Sequence, residues 1–428
     1  MFINNKIEEK LPEGFRDIFP VEAEERNVIK NIIKEEFDLW GYGEIKTPVV
    51  EFTKNIAIGV GKNWKDKLIS FFDSDGNLVS LRTDMTIPIA RFTGMRIKKN
   101  QLPVKFYYFA NSFRQSNRQK GLKREYNQAG LEFIGSDSYM CDVEVLIIII
   151  NILNKIVSNN FLIGLGDVNL SEALYDWLNL NKDDKEFIKS NLILKNYVAI
   201  REYLYKFNKN KAEIFLNLIK PIKDITKLEK ILKDTNDEKV INSFSNLKII
   251  YGILNELDFN KYFIFDLGIL RDFEYYTGLI FEIYSSNINS ILGSGGRYNK
   301  LIKKFGLDAP ATGFALDIDM LHKSIKESNI SFFKPKLKVL IFCDNDSEEN
   351  NLNLLKFANK LRKLGINTEI LYEKNKNIFF IAKENKFNFV GIINDNFEKI
   401  EITNLDNNKI INLNLNDSLN YFKNEGFN

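Results

Sequence analysis

Arg124-Glu125-Tyr126-Asn127-Gln128-Ala129-Gly130-Leu131-Glu132-Phe133-Ile134-Gly135 is the stretch that decides the fold. In its second half Gln128, Gly130, Glu132 and Ile134 alternate with Ala129, Leu131 and Phe133. Period two predicts a strand with Gln128 and Glu132 on one face. A buried carboxylate is costly unless it meets a cation or hydrogen-bond donors. That face is therefore either solvated or lines a polar pocket. Upstream, residues 104–114 read as a second strand, joined to the first by a polar, basic loop. It ends on Phe113-Arg114. Two further stretches set charged and aromatic residues on elements that otherwise look like core strands. One is Leu81-Arg82-Thr83-Asp84-Met85-Thr86; the other is Arg271-Asp272-Phe273-Glu274-Tyr275-Tyr276-Thr277-Gly278.

Beyond these stretches the pattern builds a mixed α+β core. Val28, Ile29, Ile32, Ile33 and Phe37 recur at helical spacing over residues 21–40, with Pro20 before them and Gly41 after. Short strands are predicted over 44–51, 69–73 and 78–82, with an Asp75-Gly76 hairpin turn. Residues 137–157 read as a buried helix. Residues 170–257 are rich in Leu, Ile, Lys, Asn and Glu at helical spacing and read as a helical insertion. Strand character returns over 262–267 and 277–284. The Gly293–Gly296 tract reads as a tight turn before a helix near 298–305, and 311–316 as a strand entering a last helix. Past Pro335 strands alternate with helices, which predicts a small α/β domain over 335–428 behind a core of 1–330.

The 428 residues carry 60 Lys and Arg against 57 Asp and Glu. So balanced a charge does not by itself announce a nucleic-acid or membrane binder. Cys141 and Cys343 are too far apart for a disulfide framework or a clustered zinc motif, and no metal site is read. His322 is the single histidine, which removes most nucleophilic triads; it reads as a helix-surface or capping residue. No phosphate loop or dinucleotide fingerprint is present, and no cofactor is expected. The opening residues lack a signal-peptide core. The most apolar run, 145–150, is far short of the roughly 20 residues of a membrane span. The expected location is the cytoplasm.

Taken together, the motifs resemble the class II aminoacyl-tRNA synthetase core, most closely the histidyl type. The anchors are Leu11-Pro12-Glu13-Gly14-Phe15-Arg16-Asp17 and the stretches at 81–86, 113–135, 270–282, 293–298 and 312–321. The resemblance implies an antiparallel sheet flanked by helices, and a homodimer. It also implies an amino-acid pocket. Asp84 and Thr86 match the positions that hold the ligand amine, and Gln128 and Glu132 match further amine and imidazole contacts. Tyr275 and Tyr276 match the walls of the imidazole. Arg271 matches the arginine that meets the ligand carboxylate, and Arg114 the one that grips the ATP α-phosphate in the enzymes. This suits the chemistry: ammonium groups want carboxylates, carboxylates want guanidinium, and imidazole wants a donor, an acceptor and an aromatic wall.

The nucleotide half departs from the synthetase pattern. Met320 stands where the last motif's clamp arginine should be, and Asp317 replaces a glycine. Ser116 replaces an acidic residue, and Gly121-Leu122 replaces a Gly-Arg pair. Adenylate formation depends on electrostatic stabilisation of phosphate, whereas a sensor of free amino acid needs none. The combination is similar to the ATP phosphoribosyltransferase regulatory subunits, a family of non-catalytic histidyl-synthetase paralogues. That resemblance implies a hetero-oligomer with a short catalytic subunit, L-histidine as effector, and no catalytic residue. The alternative is a histidine–tRNA ligase with an atypical ATP site. Residues 334–428 carry 14 Lys and Arg against 13 Asp and Glu, less basic than most tRNA-binding domains, so no tRNA binding is expected.

Overall fold

The computed structural model describes residues 10–60, 67–115, 123–269, 275–328, 332, 337–343, 347–372 and 377–426. They divide into two units, Met1–Phe332 and Phe333–Asn428. The first is built on an eight-stranded sheet. Its strand order is Gly43–Glu44, Val104–Phe113, Glu125–Ile134, Ala311–Asp317, Ile291–Arg297, Leu279–Ser285, Phe161–Asp167, Phe263–Phe265. The six central strands pair antiparallel, and each edge strand pairs parallel to its neighbour.

Alternation along the strands sends side chains to two differently covered faces. On one, Phe37 of the helix Pro20–Leu39 packs against Tyr107, Phe109 and Phe314 at 5.2–6.4 Å between ring centroids. That helix starts on Pro20, whose missing N–H costs nothing in a first turn. The helix Tyr139–Val157 lies beside it, capped by Ser138. On the other face, Ile87, Ile89 and Ala90 of the helix Thr86–Arg96 bury against Tyr108, Ile134, Tyr298 and Phe305.

Two readings need correction. Gly293–Gly296 is not a turn; it lies inside the strand Ile291–Arg297. Its glycines allow close approach of neighbours: a Cβ on Gly295 would fall on the Gly313 carbonyl, so glycine marks crowding here and not a bend. The 81–86 stretch is not one core strand either. The strand stops at Leu81 and a helix begins at Thr86. The buried Arg82 secures the junction by donating from Nε to the Asn111 carbonyl at 2.8 Å and from a terminal nitrogen to the Thr47 carbonyl at 2.9 Å.

The insertion forms seven helices between Val168 and Glu256. Six of them begin on an Asp or Asn whose side chain accepts from the first-turn backbone. Such caps stabilise a helix by about 1 kcal/mol each, which explains why an Asn-rich segment folds as helices.

The second unit has a five-stranded sheet in the order Asn367–Ile370, Lys338–Cys343, Phe389–Ile393, Lys399–Asn404, Ile410–Asn414. The first three strands are parallel and the last two add antiparallel. Leu354, Phe357, Ala358 and Leu361 form the buried face of the helix Glu348–Lys363. Gly365, at φ +81°, turns the chain after it. No helix among the described residues is long and apolar enough to cross a membrane.

Candidate functional site

Glu132 is the centre of the site. It is 1 % exposed and Gln128 is 9 % exposed, so their shared face lines a buried polar region and is not solvated. Thr86 Oγ1 donates to Glu132 Oε1 at 2.7 Å, and the Tyr298 hydroxyl donates to Oε2. The opposing strand supplies Gly313 directly across from Glu132; a Cβ there would fall on Oε2. Burial pushes the Glu132 carboxyl up to about 8, against the Tyr298 and Thr86 hydrogen bonds, and Asp84 adds to the rise.

Asp84 is placed by the turn into the helix Thr86–Arg96. Its Oδ1 accepts from the Ile87 N–H at 3.0 Å. Among the described residues its Oδ2, which is buried, has no hydrogen-bond partner, and neither has Gln128 Oε1. Burial raises the Asp84 carboxyl, and its own backbone contacts and Arg114 pull the other way. Buried acceptors left unmatched are costly, so these two atoms mark where a donor fits. Tyr275 is buried and Tyr276 half-buried, with ring centroids 4.8 Å apart. Tyr275 also meets Tyr298 edge-on at 5.7 Å. Asp84, Thr86, Gln128, Glu132, Tyr275 and Tyr276 therefore share one face of the sheet.

Arg114 stands at the strand end, half-buried. It donates from Nε to the Thr83 carbonyl at 3.2 Å and lies 5.2 Å from the Tyr126 ring centre. Arg271 lies outside the described residues, as do Ser116, Gly121 and Leu122. Sequence reasoning missed Tyr298 and Tyr108, which are buried beside Glu132 and raised well above the ordinary tyrosine range chiefly by burial. Tyr108 could have been found by its place opposite Gly130 on the neighbouring strand. Tyr298 has no comparable signal, because the tract before it reads as a turn.

The nucleotide half has a different character. Asp317 caps the helix Ile318–Glu327, accepting from the Asp319 and Met320 N–H groups at 2.9 and 3.2 Å. These are the donors a helix start would offer a phosphate. Lys123 pairs with Asp319 and lies 3.5 Å from Asp317. Met320 Sδ accepts from the Ser290 hydroxyl at 3.4 Å. The cation and the backbone donors there are matched by the chain's own carboxylates. His322 departs from the surface reading: its Nε2 is 2.7 Å from Glu25 Oε2, and both side chains are mostly buried. Among the described residues no group of three or more His, Cys, Asp or Glu is placed to hold a metal.

Residues 14–321 match the family model described as histidyl-tRNA synthetase. An ATP phosphoribosyltransferase regulatory subunit of Clostridium botulinum (strain 657 / Type Ba4) is 32% identical over 89% of this chain and 90% of its own length. The chain belongs to this family. Its Bacillus subtilis (strain 168) relative of the same name is 31% identical over 83% of this chain and 89% of its own length. Among solved structures, one described as an ATP phosphoribosyltransferase regulatory subunit/histidyl-tRNA synthetase from Bacillus halodurans is 26% identical. It covers 91% of this chain and 99% of its own, with a TM-score of 0.77. The histidyl-tRNA synthetase of Nostoc sp. PCC 7120 shares the fold, with a TM-score of 0.79 at 21% identity over 98% of this chain and 100% of its own. The class II synthetase-like fold of the ATP phosphoribosyltransferase regulatory-subunit family is thus the frame that holds the Glu132 pocket.

Proposed function

We propose that this chain is non-catalytic, that it is required for the activity of a short ATP phosphoribosyltransferase catalytic subunit, and that it carries L-histidine feedback inhibition to the first step of histidine biosynthesis. The observation that carries the reading is the contrast around Glu132 and Asp317. The amino-acid side has buried acceptors lacking donors; the phosphate side is neutralised by its own residues. In this reading Asp84 and Thr86 hold the effector's amine, with Gln128 and Glu132 completing the amine and imidazole contacts. Tyr275 and Tyr276 wall the ring, Arg271 meets the carboxylate, and Arg114 stands at the mouth. Inhibition then requires only that histidine bind the inhibited assembly better than the active one. The assembly is a cytoplasmic hetero-oligomer containing a homodimer of this chain.

Reconstitution tests it. The short catalytic subunit of the same genome is assayed for phosphoribosyl-ATP formation with and without this chain, and with histidine added. Activity that needs both chains and falls with histidine is expected. Absence of activation, together with histidine-dependent ATP–pyrophosphate exchange by this chain alone, would replace this reading with that of a histidine–tRNA ligase.

A further inference from the structure

The strand Glu125–Ile134 serves two pockets. Gln128 and Glu132 face the site above. Glu125 and Asn127 face the other side of the sheet, where they floor a separate cavity of about 480 Å³. That size lies in the range of small-molecule sites. The floor is a hydrogen-bonded row: Asn127 Nδ2 donates to Asn111 Oδ1 at 2.9 Å, and Asn111 Nδ2 donates to Glu125 Oε1 at 2.7 Å. The opposite wall comes from the N-terminal segment at Phe15–Ile18 and from Arg26 of the helix Pro20–Leu39.

Arg26 is only 4 % exposed. One terminal nitrogen bridges Glu22 at 2.7 Å and Asp319 at 2.5 Å. Among the described residues its buried Nε has no hydrogen-bond partner, and neither has Asn127 Oδ1. One cationic donor and one neutral acceptor are therefore unmatched in residues lining the same cavity. The charged residues that line it balance: Arg16, Arg26 and Lys123 against Asp17, Glu125 and Asp319; Glu22, behind the lining, also pairs with Arg16 at 2.6 Å. A polyanion would meet three carboxylates, and a simple cation would meet three cationic side chains. A molecule carrying one charge of each sign meets a partner for both.

We infer that this cavity binds a net-neutral α-amino acid, its carboxylate directed to Arg26 and Arg16 and its ammonium to Asn127 and Glu125. Phe15 and Ile18 supply the apolar wall for its side chain. The site is distinct from the Glu132 pocket, uses the odd-numbered residues of the same strand, and does not depend on the histidine reading.

The test is thermal unfolding of the full chain with each of the twenty amino acids at millimolar concentration, in the wild type and in Glu132→Gln. The Glu132→Gln background weakens the first pocket, so a response there belongs to the second. At least one net-neutral amino acid is expected to raise Tm of Glu132→Gln by a few degrees. Its apparent affinity is expected to fall tenfold or more in Asn127→Leu and in Arg16→Ala on that background. Arg26→Met cuts a buried ion pair and threatens the fold, whereas Asn127→Leu leaves every ion pair in place. No response from any amino acid in Glu132→Gln overturns the inference, as does a response that survives both Asn127→Leu and Arg16→Ala. Stabilisation by ATP or pyrophosphate that is lost in those same variants would make the site anionic and overturn it too. Loss of histidine binding at Glu132 alone would leave these outcomes unchanged, so this inference and the proposed function fail separately.

Discussion

Around Glu132 the carboxyls are held by hydroxyls and one backbone N–H, and two buried acceptors have no donor among the described residues. At Asp317–Met320, barely a strand away, each carboxylate already has a lysine or a helix N–H. The same fold thus contains one region with binding capacity left over and one whose capacity is consumed internally. Polar groups of the same kind, carried on one sheet, can thus be left open to a ligand in one place and closed by the chain itself in another. At the second place the closing groups are Asp317 on the helix N–H donors and Asp319 on Lys123.

The sharpest way to break the comparison is Glu132→Ala. It removes both hydroxyl contacts and the central carboxylate, and histidine affinity is expected to fall about 100-fold, the scale of two charge-assisted hydrogen bonds. Calorimetric titration measures it; unchanged binding would move the amino-acid site elsewhere. Next is Gly313→Ala, which drives a methyl onto Glu132 Oε2 and the Leu131 carbonyl. The expected loss is about 2 kcal/mol of stability, seen as a lower urea midpoint. A variant as stable as wild type would show that the pocket floor can yield.

A smaller effect comes from pH. In the ligand-free fold Glu132 holds its proton up to about 8, against an ordinary value of 4.5. A raised folded value means its contribution to stability is complete below 4.5 and is lost as pH climbs through 8. Wild type should therefore lose more stability than Glu132→Gln between pH 5.5 and 7.5, about equal slopes being the contrary result. An ammonium ligand favours the ionised carboxylate, so histidine binding should release a proton and tighten severalfold from pH 7 to 8, above the titration of the free imidazole. The smallest effect is expected from Met320→Arg. With Asp317 still capping the helix, the new guanidinium should leave ATP–pyrophosphate exchange at background. Robust exchange would mean that the single arginine had been the whole deficit.

Much of this was legible before the fold was known, and the legible parts share a cause. The period of two in 128–134 follows from strand geometry, so it set Gln128 and Glu132 on one face wherever the strand lay. The seam Ile29, Ile33 and Phe37 and the face Leu354–Leu361 follow from helical spacing in the same way, although Val28, read with that seam, is exposed. What misled was glycine. In Gly293–Gly296 local propensity points to a turn, but the cause is non-local: the strands carrying Phe281 and Gly313 press against it. The helix start at Thr86 has no local signal, because Met85 before it offers no side-chain cap. The Tyr298–Glu132 contact spans 166 residues, and no local pattern encodes such a pairing. The strand Phe161–Asp167 depends on partners distant in sequence; the hairpin of Lys399–Asn404 and Ile410–Asn414 alternates in period two and was open to sequence reading.

The pairing of His322 with Glu25 joins the helices Pro20–Leu39 and Ile318–Glu327. Because this is the sole imidazole in the chain, the aromatic proton spectrum contains one protein histidine ring and no others. During a titration with free histidine, every additional imidazole resonance belongs to the ligand. The His322 ring protons sit beside the Glu25 contact and so report on that seam. A single proton spectrum therefore follows added histidine and the ring at the helix seam at once.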